Sequence, residues 1–179
     1  IEEQTVYKNL GLKQGQFGLV TLHRPSNVDN HDVLKVLCET IVRVAEKIPL
    51  VFPIHPRTRK NLEQAGLMAS LKKANRLLLL EPLGYIQFMN LVFNCRFTVT
   101  DSGGIQEETT YLGIPCLTMR PNTERPVTIQ QGTNQLCKLE DIEKKVEMIL
   151  SGKAPQGSKI ELWDGQTANR VVESIRTKF

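Results

Sequence analysis

Short apolar runs recur along the chain, and most are followed by a segment whose apolar residues fall at helical spacing. The runs are Phe17–Leu22, Leu50–Ile54, Leu77–Leu80, Arg96–Val99, Pro115–Met119 and Asn134–Cys137, each short enough and rich enough in strand formers to read as a buried strand. Between them, Asn30 to Ile48 carries Val33, Leu37, Ile41, Val44 and Ile48 on one side and stops at Pro49, the pattern of an amphipathic helix. Further helices are predicted over Thr58–Gln64, Ile86–Phe93, Gly104–Leu112, Glu140–Leu150 and Gln166–Lys178, the last capped by Asp164. Ile1 to Lys13 reads as an entry helix arriving from an upstream portion that is absent, and Ser151 to Ser158 as a loop.

Apolar strands alternating with helices imply an α/β fold: a doubly wound parallel six-stranded sheet with helices on both faces and right-handed crossovers. The expected order is 3-2-1-4-5-6, with strands one and four adjacent where the winding reverses. Ligands of such sheets bind at that switch point, beyond the carboxyl ends of the strands. His23-Arg24, after the first strand, and Ser102-Gly103-Gly104, after the fourth, are therefore expected to share one crevice.

At 179 residues the chain is one domain or one large lobe of a two-lobed protein. Hydrophobic residues make up 40% and charged residues 23%, which places it among soluble globular chains. The net charge of +4 is spread out, with no Lys/Arg block to track a nucleic-acid backbone, so an anionic small molecule suits it better than nucleic acid. Cys38, Cys95, Cys116 and Cys137 are far apart and lie in apolar runs, which reads as buried free thiols in a cytoplasmic protein. No cluster suggests a metal or a redox cofactor, and no signal peptide or membrane-length apolar run is present.

The chemistry concentrates in Thr100-Asp101-Ser102-Gly103-Gly104-Ile105-Gln106-Glu107-Glu108. Two glycines stand where a strand turns into a helix. There the first N–H groups lack partners and the helix dipole is positive, so an anionic oxygen satisfies both. Ile105, Thr109 and Leu112 form the stripe that faces the sheet, and Glu108 lies beside it. A helical side chain leans toward its own N-terminus, so Glu108 reaches a group adjoining a bound phosphate, such as a ribose diol. Glu107 reads as an ordinary first-turn acid. The other strand ends deliver His23, Arg24, His55, Arg57, Tyr85, Arg120 and Arg125 to the same rim, a set suited to a diphosphate. The turn after the first strand is His23-Arg24-Pro25-Ser26-Asn27, not Gly-x-Gly-x-x-Gly, and no P-loop sequence occurs. Ser102 lacks the glycine two positions earlier that a hydrolase elbow needs.

Thr21-Leu22-His23-Arg24-Pro25-Ser26-Asn27, His55-Pro56-Arg57, Glu81-Pro82-Leu83-Gly84-Tyr85, Thr100 to Glu108 and Thr123-Glu124-Arg125-Pro126 occur here in the order seen in non-hydrolysing UDP-N-acetylglucosamine 2-epimerases. The chain resembles the carboxyl-terminal half of that family, one of two Rossmann-like lobes in a glycosyltransferase-B arrangement. The resemblance implies that Ser102, Gly103 and Gly104 bind the diphosphate, Glu108 the ribose hydroxyls, and Pro82, Leu83 and Tyr85 the uracil. It also implies that His23 and Arg125 stabilise departing UDP and that His55 touches a second, regulatory substrate molecule. Pro25-Ser26 stands where many members have Arg-Glu, which leaves the role of Arg24 open.

In that family C2 of the sugar is inverted by eliminating UDP and adding it back on the other face, without a cofactor. The carboxylates that move the proton belong to the other lobe, so this chain is expected to bind UDP and not to epimerise. The resemblance further implies a homodimer of the full-length protein and a place in cell-envelope polysaccharide synthesis. Alternatives are the donor-binding lobe of a UDP-sugar glycosyltransferase, a hydrolysing epimerase, and a non-catalytic nucleotide-binding module. The glycosyltransferase reading expects a second Glu eight residues past Glu108, where this chain has Cys116.

Overall fold

The structure, a computed structural model, describes residues 5–178. It opens with one turn of helix, α1 (Val6–Asn9), and the first strand, β1 (Gly18–Thr21). Then come α2 (Pro25–Val28), α3 (His31–Lys47), β2 (Leu50–Pro53), α4 (Pro56–Gln64), α5 (Met68–Lys73) and β3 (Leu77–Leu80). The second half runs α6 (Tyr85–Asn94), β4 (Phe97–Thr100), α7 (Gly103–Leu112), β5 (Cys116–Thr118), α8 (Val127–Gln130) and β6 (Asn134–Leu136). A 3-10 turn at Leu139–Asp141 leads into α9 (Ile142–Leu150), and α10 (Thr167–Lys178) closes the described chain.

The six strands form one parallel sheet in the order β3-β2-β1-β4-β5-β6, the doubly wound order expected from the alternation of elements. Alternate residues of each strand feed opposite faces. Val20, Phe52 and Leu117 join the apolar face of α3 and α9 on one side, while Leu19 and Val51 pack with Met89 and Leu91 of α6 on the other. Gly18 is required where β1 meets β4. A Cβ there would lie 2.5 Å from Cζ of Phe97 and 2.7 Å from Leu50, so the absent side chain is what lets the Phe97 ring seat between the strands.

Local signals set the helix ends. Asn30 caps α3, its side-chain oxygen accepting from the N–H groups of Asp32 and Val33 at 3.0 and 3.1 Å. Gly113 ends α7 in the left-handed conformation, at φ 69°. Several boundaries differ from the sequence reading, most of them by a single residue. The entry helix is confined among the described residues to α1, because Gly11 turns left-handed at φ 72°; residues 1–4 of that expectation lie outside them. The fourth helix starts at Pro56, with His55 as its cap. The helix expected from Glu140 begins as the 3-10 turn, and α10 begins one residue beyond Gln166, whose N–H donates to Asp164 at 3.0 Å. The short helices α2, α5 and α8 have no counterpart in the apolar pattern.

All four cysteines are buried and unbonded. Burial pushes the thiols of Cys38 and Cys137 up to about 12, and those of Cys95 and Cys116 upward as well. The thiolate is the reactive form, so at pH 7.5 the folded chain is expected to leave all four unlabelled by a maleimide on a timescale that labels free cysteine completely. Denaturation should release four equivalents, as counted by mass spectrometry. No helix among the described residues is long and apolar enough to cross a membrane.

A candidate nucleotide-diphosphate site at the switch point

The carboxyl ends of β1 and β4 are neighbours, with Thr21 in register with Thr100. The residues just beyond them are joined by one carboxylate. Asp101 is fully buried and accepts from the main-chain N–H of His23 at 3.0 Å and of Arg24 at 2.8 Å. It also accepts from the Asn27 amide at 3.0 Å, and its Oδ1 lies 2.9 Å from Nδ1 of His23. The same Asn27 amide donates to the carbonyl of Met119, beyond β5, so three strand ends are tied together. A buried carboxylate without such donors would cost several kcal/mol. Arg24 adds a bond from Nε to the carbonyl of Asp101 at 3.0 Å, which gives it a structural task in the turn. The sequence reading did not single out Asp101. The available signal was that an acid follows β4 directly while a histidine follows its in-register neighbour by two residues.

Two pairs of the expected site residues come together. The rings of His23 and His55 lie 5.3 Å apart, centroid to centroid, and Tyr85 donates its hydroxyl to Glu108 at 3.0 Å. That bond to a carboxylate pushes the Tyr85 hydroxyl upward. Glu108 and Tyr85 also line a cavity of about 410 Å³ between α6 and α7, together with Met89 and Tyr111. Pro82 and Leu83 lead into α6 just before Tyr85.

Several cations at the rim are already engaged. Arg57 pairs with Asp29, and Arg120, its side chain buried, forms a two-bond fork with Glu124 at 2.8 and 2.5 Å. That fork holds the Glu124 carboxyl down to about 2. Arg125 lies 2.6 Å from Glu107, a contact of charges whose N–H is not aimed along a hydrogen bond. Glu107, read as an ordinary first-turn acid, is thus the ion-pair partner of Arg125.

The two glycines of the turn have different tasks. A Cβ on Gly103 would stand 2.6 Å from Nη1 of Arg125, so this glycine makes room for the guanidinium. A Cβ on Gly104 would meet nothing within 4 Å; it is Gly104 that faces open space at the start of α7. Behind the turn, the fully buried Gln106 donates to the carbonyl of Ser102 at 3.2 Å. Its Oε1 accepts from Thr123 at 2.6 Å and from Asn134 at 3.1 Å, so one amide positions the Thr123–Pro126 segment against α7. Gln106 and Asn134 escaped the sequence reading because their amides look like surface residues until the sheet order buries them. No group of three or more His, Cys, Asp or Glu able to hold a metal occurs among the described residues.

A six-stranded parallel sheet in this order, with the start of α7 open at its switch point, is a Rossmann-like lobe of the glycosyltransferase-B type. The chain belongs to the UDP-N-acetylglucosamine 2-epimerase family, whose pattern matches residues 1–176. The Methanocaldococcus jannaschii UDP-N-acetylglucosamine 2-epimerase is 40% identical over 161 residues, covering 88% of this chain and 43% of that protein. The solved structure of the M. jannaschii enzyme in complex with UDP-GlcNAc and UDP superposes with a TM-score of 0.83 at 36% identity, over 98% of this chain and 49% of its own. An Escherichia coli heptosyltransferase with ADP shares the fold alone, at a TM-score of 0.56 and 14% identity over 76% of this chain and 45% of its own. The chain spans about half the length of the curated relatives it matches.

Proposed function

We propose that this chain is the carboxyl-terminal, UDP-binding lobe of a UDP-N-acetylglucosamine 2-epimerase that interconverts UDP-N-acetylglucosamine and UDP-N-acetylmannosamine. The observation that carries the reading is the turn from β4 into α7, where the exposed N-terminus at Gly104 lies one turn from the Glu108–Tyr85 pair. Ser102, Gly103 and Gly104 receive the diphosphate, Glu108 the ribose hydroxyls, and Pro82, Leu83 and Tyr85 the uracil. The relative solved with UDP-GlcNAc and UDP supports this, since 98% of this chain superposes on about half (49%) of that one.

The reaction removes the C2 proton of the sugar as the C1–oxygen bond breaks, giving UDP and a 1,2-unsaturated sugar. Addition of UDP back, with a proton delivered to the opposite face of C2, gives the epimer. His23 and Arg125 serve the leaving diphosphate, where negative charge grows as the bond breaks. The base and acid for C2 belong to the amino-terminal lobe. The lobe alone therefore binds UDP without turning over UDP-N-acetylglucosamine, and the whole protein works as a cytoplasmic homodimer supplying envelope polysaccharide synthesis. His55 is assigned to a second, regulatory substrate molecule.

Titration calorimetry with UDP and with uridine tests the site: UDP should bind more tightly, and equal or absent binding of both would defeat the assignment. Detectable epimerisation by the purified 179-residue chain would defeat the division of labour. Gly104→Ala offers a second check. It should raise thermal stability by about 0.5–1 kcal/mol, since Ala suits a helix better and meets nothing there, yet weaken UDP binding severalfold by narrowing the approach. Stability and affinity moving together would oppose a ligand at Gly104.

A further inference from the structure

We propose that Asp101 is a positioning residue that sets the tautomer of His23, keeping the proton on Nδ1 and offering the Nε2 lone pair to the cleft, where it takes up a proton and donates it to a departing diphosphate; that use of Nε2 rests on the function proposed above. The two carboxylate oxygens are unequally loaded. Oδ2 accepts from the N–H of His23 and of Arg24 and from the Asn27 amide, at 3.0, 2.8 and 3.0 Å. Oδ1 faces Nδ1 of His23 at 2.9 Å and takes only a longer second contact, 3.2 Å, from the His23 N–H. The main-chain and amide neighbours can only donate, and an ionised carboxylate can only accept. Nδ1 is therefore met as a donor, and Nε2 is the nitrogen left for the cleft, on a side chain that keeps 39% of its surface accessible.

The neighbouring imidazole is held the other way round. Nδ1 of His55 accepts from the N–H of Arg57 at 3.2 Å, as the cap of α4, so its proton sits on Nε2. Two rings 5.3 Å apart thus present opposite chemistry to the same rim: an Nε2 lone pair on His23 and an Nε2–H on His55. A substrate oxygen between them would meet one donor and one proton acceptor, an asymmetry that no reading of the two histidines from sequence could supply.

Asp101→Asn tests this with a defined outcome. Three donors demand an oxygen at the Oδ2 position, so the asparagine amide nitrogen must take the Oδ1 position and point its hydrogens at His23. His23 can then only accept there, and its proton moves to Nε2. In serine proteases the equivalent exchange leaves the wrong tautomer and lowers turnover about 10⁴-fold.

The chain has three histidines, so nitrogen-15 spectra of histidine-labelled protein can be assigned with single His→Gln variants. At a pH where the rings are neutral, His23 should be protonated on Nδ1 and His55 on Nε2, and Asp101→Asn should switch His23 alone to Nε2. Wild-type His23 carrying its proton on Nε2 would overturn the proposal, as would a folded Asp101→Asn variant that keeps Nδ1–H. Should that variant fail to fold, the wild-type spectrum still decides. Asp101→Asn should also leave uridine affinity unchanged, a result that general loosening of the fold would not produce. Absence of UDP binding by the wild type would defeat the proposed function and leave the tautomer measurement standing.

Discussion

Phe97→Ala should destabilise the chain by about 3–5 kcal/mol, a large share of the roughly 5–15 kcal/mol typical of a domain. Phe97 is fully buried on β4, in register with Gly18 of β1, and its ring occupies the space that a side chain on Gly18 would need. Removing the ring opens a cavity at the junction of the strands that carry His23 and Asp101. Gly18→Ala alone should cost about 1–3 kcal/mol, because its new methyl collides with that ring. The double variant should be less destabilised than the sum of the two, since the methyl then partly fills the cavity. Urea denaturation of the three variants measures the cycle. Strict additivity would show that the two positions do not share one packing site.

Glu108→Ala should weaken UDP binding about 10- to 100-fold, the loss expected for one net hydrogen bond between a carboxylate and a ribose diol, worth about 1.5–3 kcal/mol. Stability should hold within about 0.5 kcal/mol, because the freed hydroxyl of Tyr85 belongs to a residue that is 63% exposed and finds water instead. The ligand supplies the sharper comparison. Wild-type protein should prefer UDP over 2′-deoxy-UDP, and the variant should bind the two alike. A preference that survives the substitution would place the diol elsewhere. Tyr85→Phe, which keeps the carboxylate, should retain the preference.

The cationic rim needs a different account from the one that residue types alone suggest. Arg57, Arg120 and Arg125 all face acids in the folded chain: Asp29, Glu124 and Glu107. A diphosphate arriving at Gly104 would meet the helix N-terminus, with Arg125 drawn partly toward Glu107. The consequence falls on Gly103→Ala, whose methyl would press on the flexible end of Arg125 rather than on backbone. Such a contact is relieved by moving the guanidinium, so the effect belongs in ligand affinity more than in stability.

Periodicity and local chemistry were enough to determine the six strands, their order and most helix ends. Each apolar run carries its own signal, and caps such as Asn30 and stops such as Gly113 act within a few residues. The motif from Thr100 to Glu108 was legible for the same reason, since the free N–H groups of a helix start are a property of the local backbone. The helices α2, α5 and α8, of four, six and four residues, were not legible, because so short a helix lacks a full apolar stripe and is held by the surface it lies on. Only the tertiary structure decided the partners of the charged and amide groups. Asp101 meets His23 across 78 positions of sequence, Gln106 meets Asn134 across 28, and Arg125 meets Glu107 through the open space above Gly103. A side chain's charge is written in the sequence, but its partner depends on which strand ends the fold makes adjacent. That adjacency set His23 against Asp101 beside the turn that opens α7.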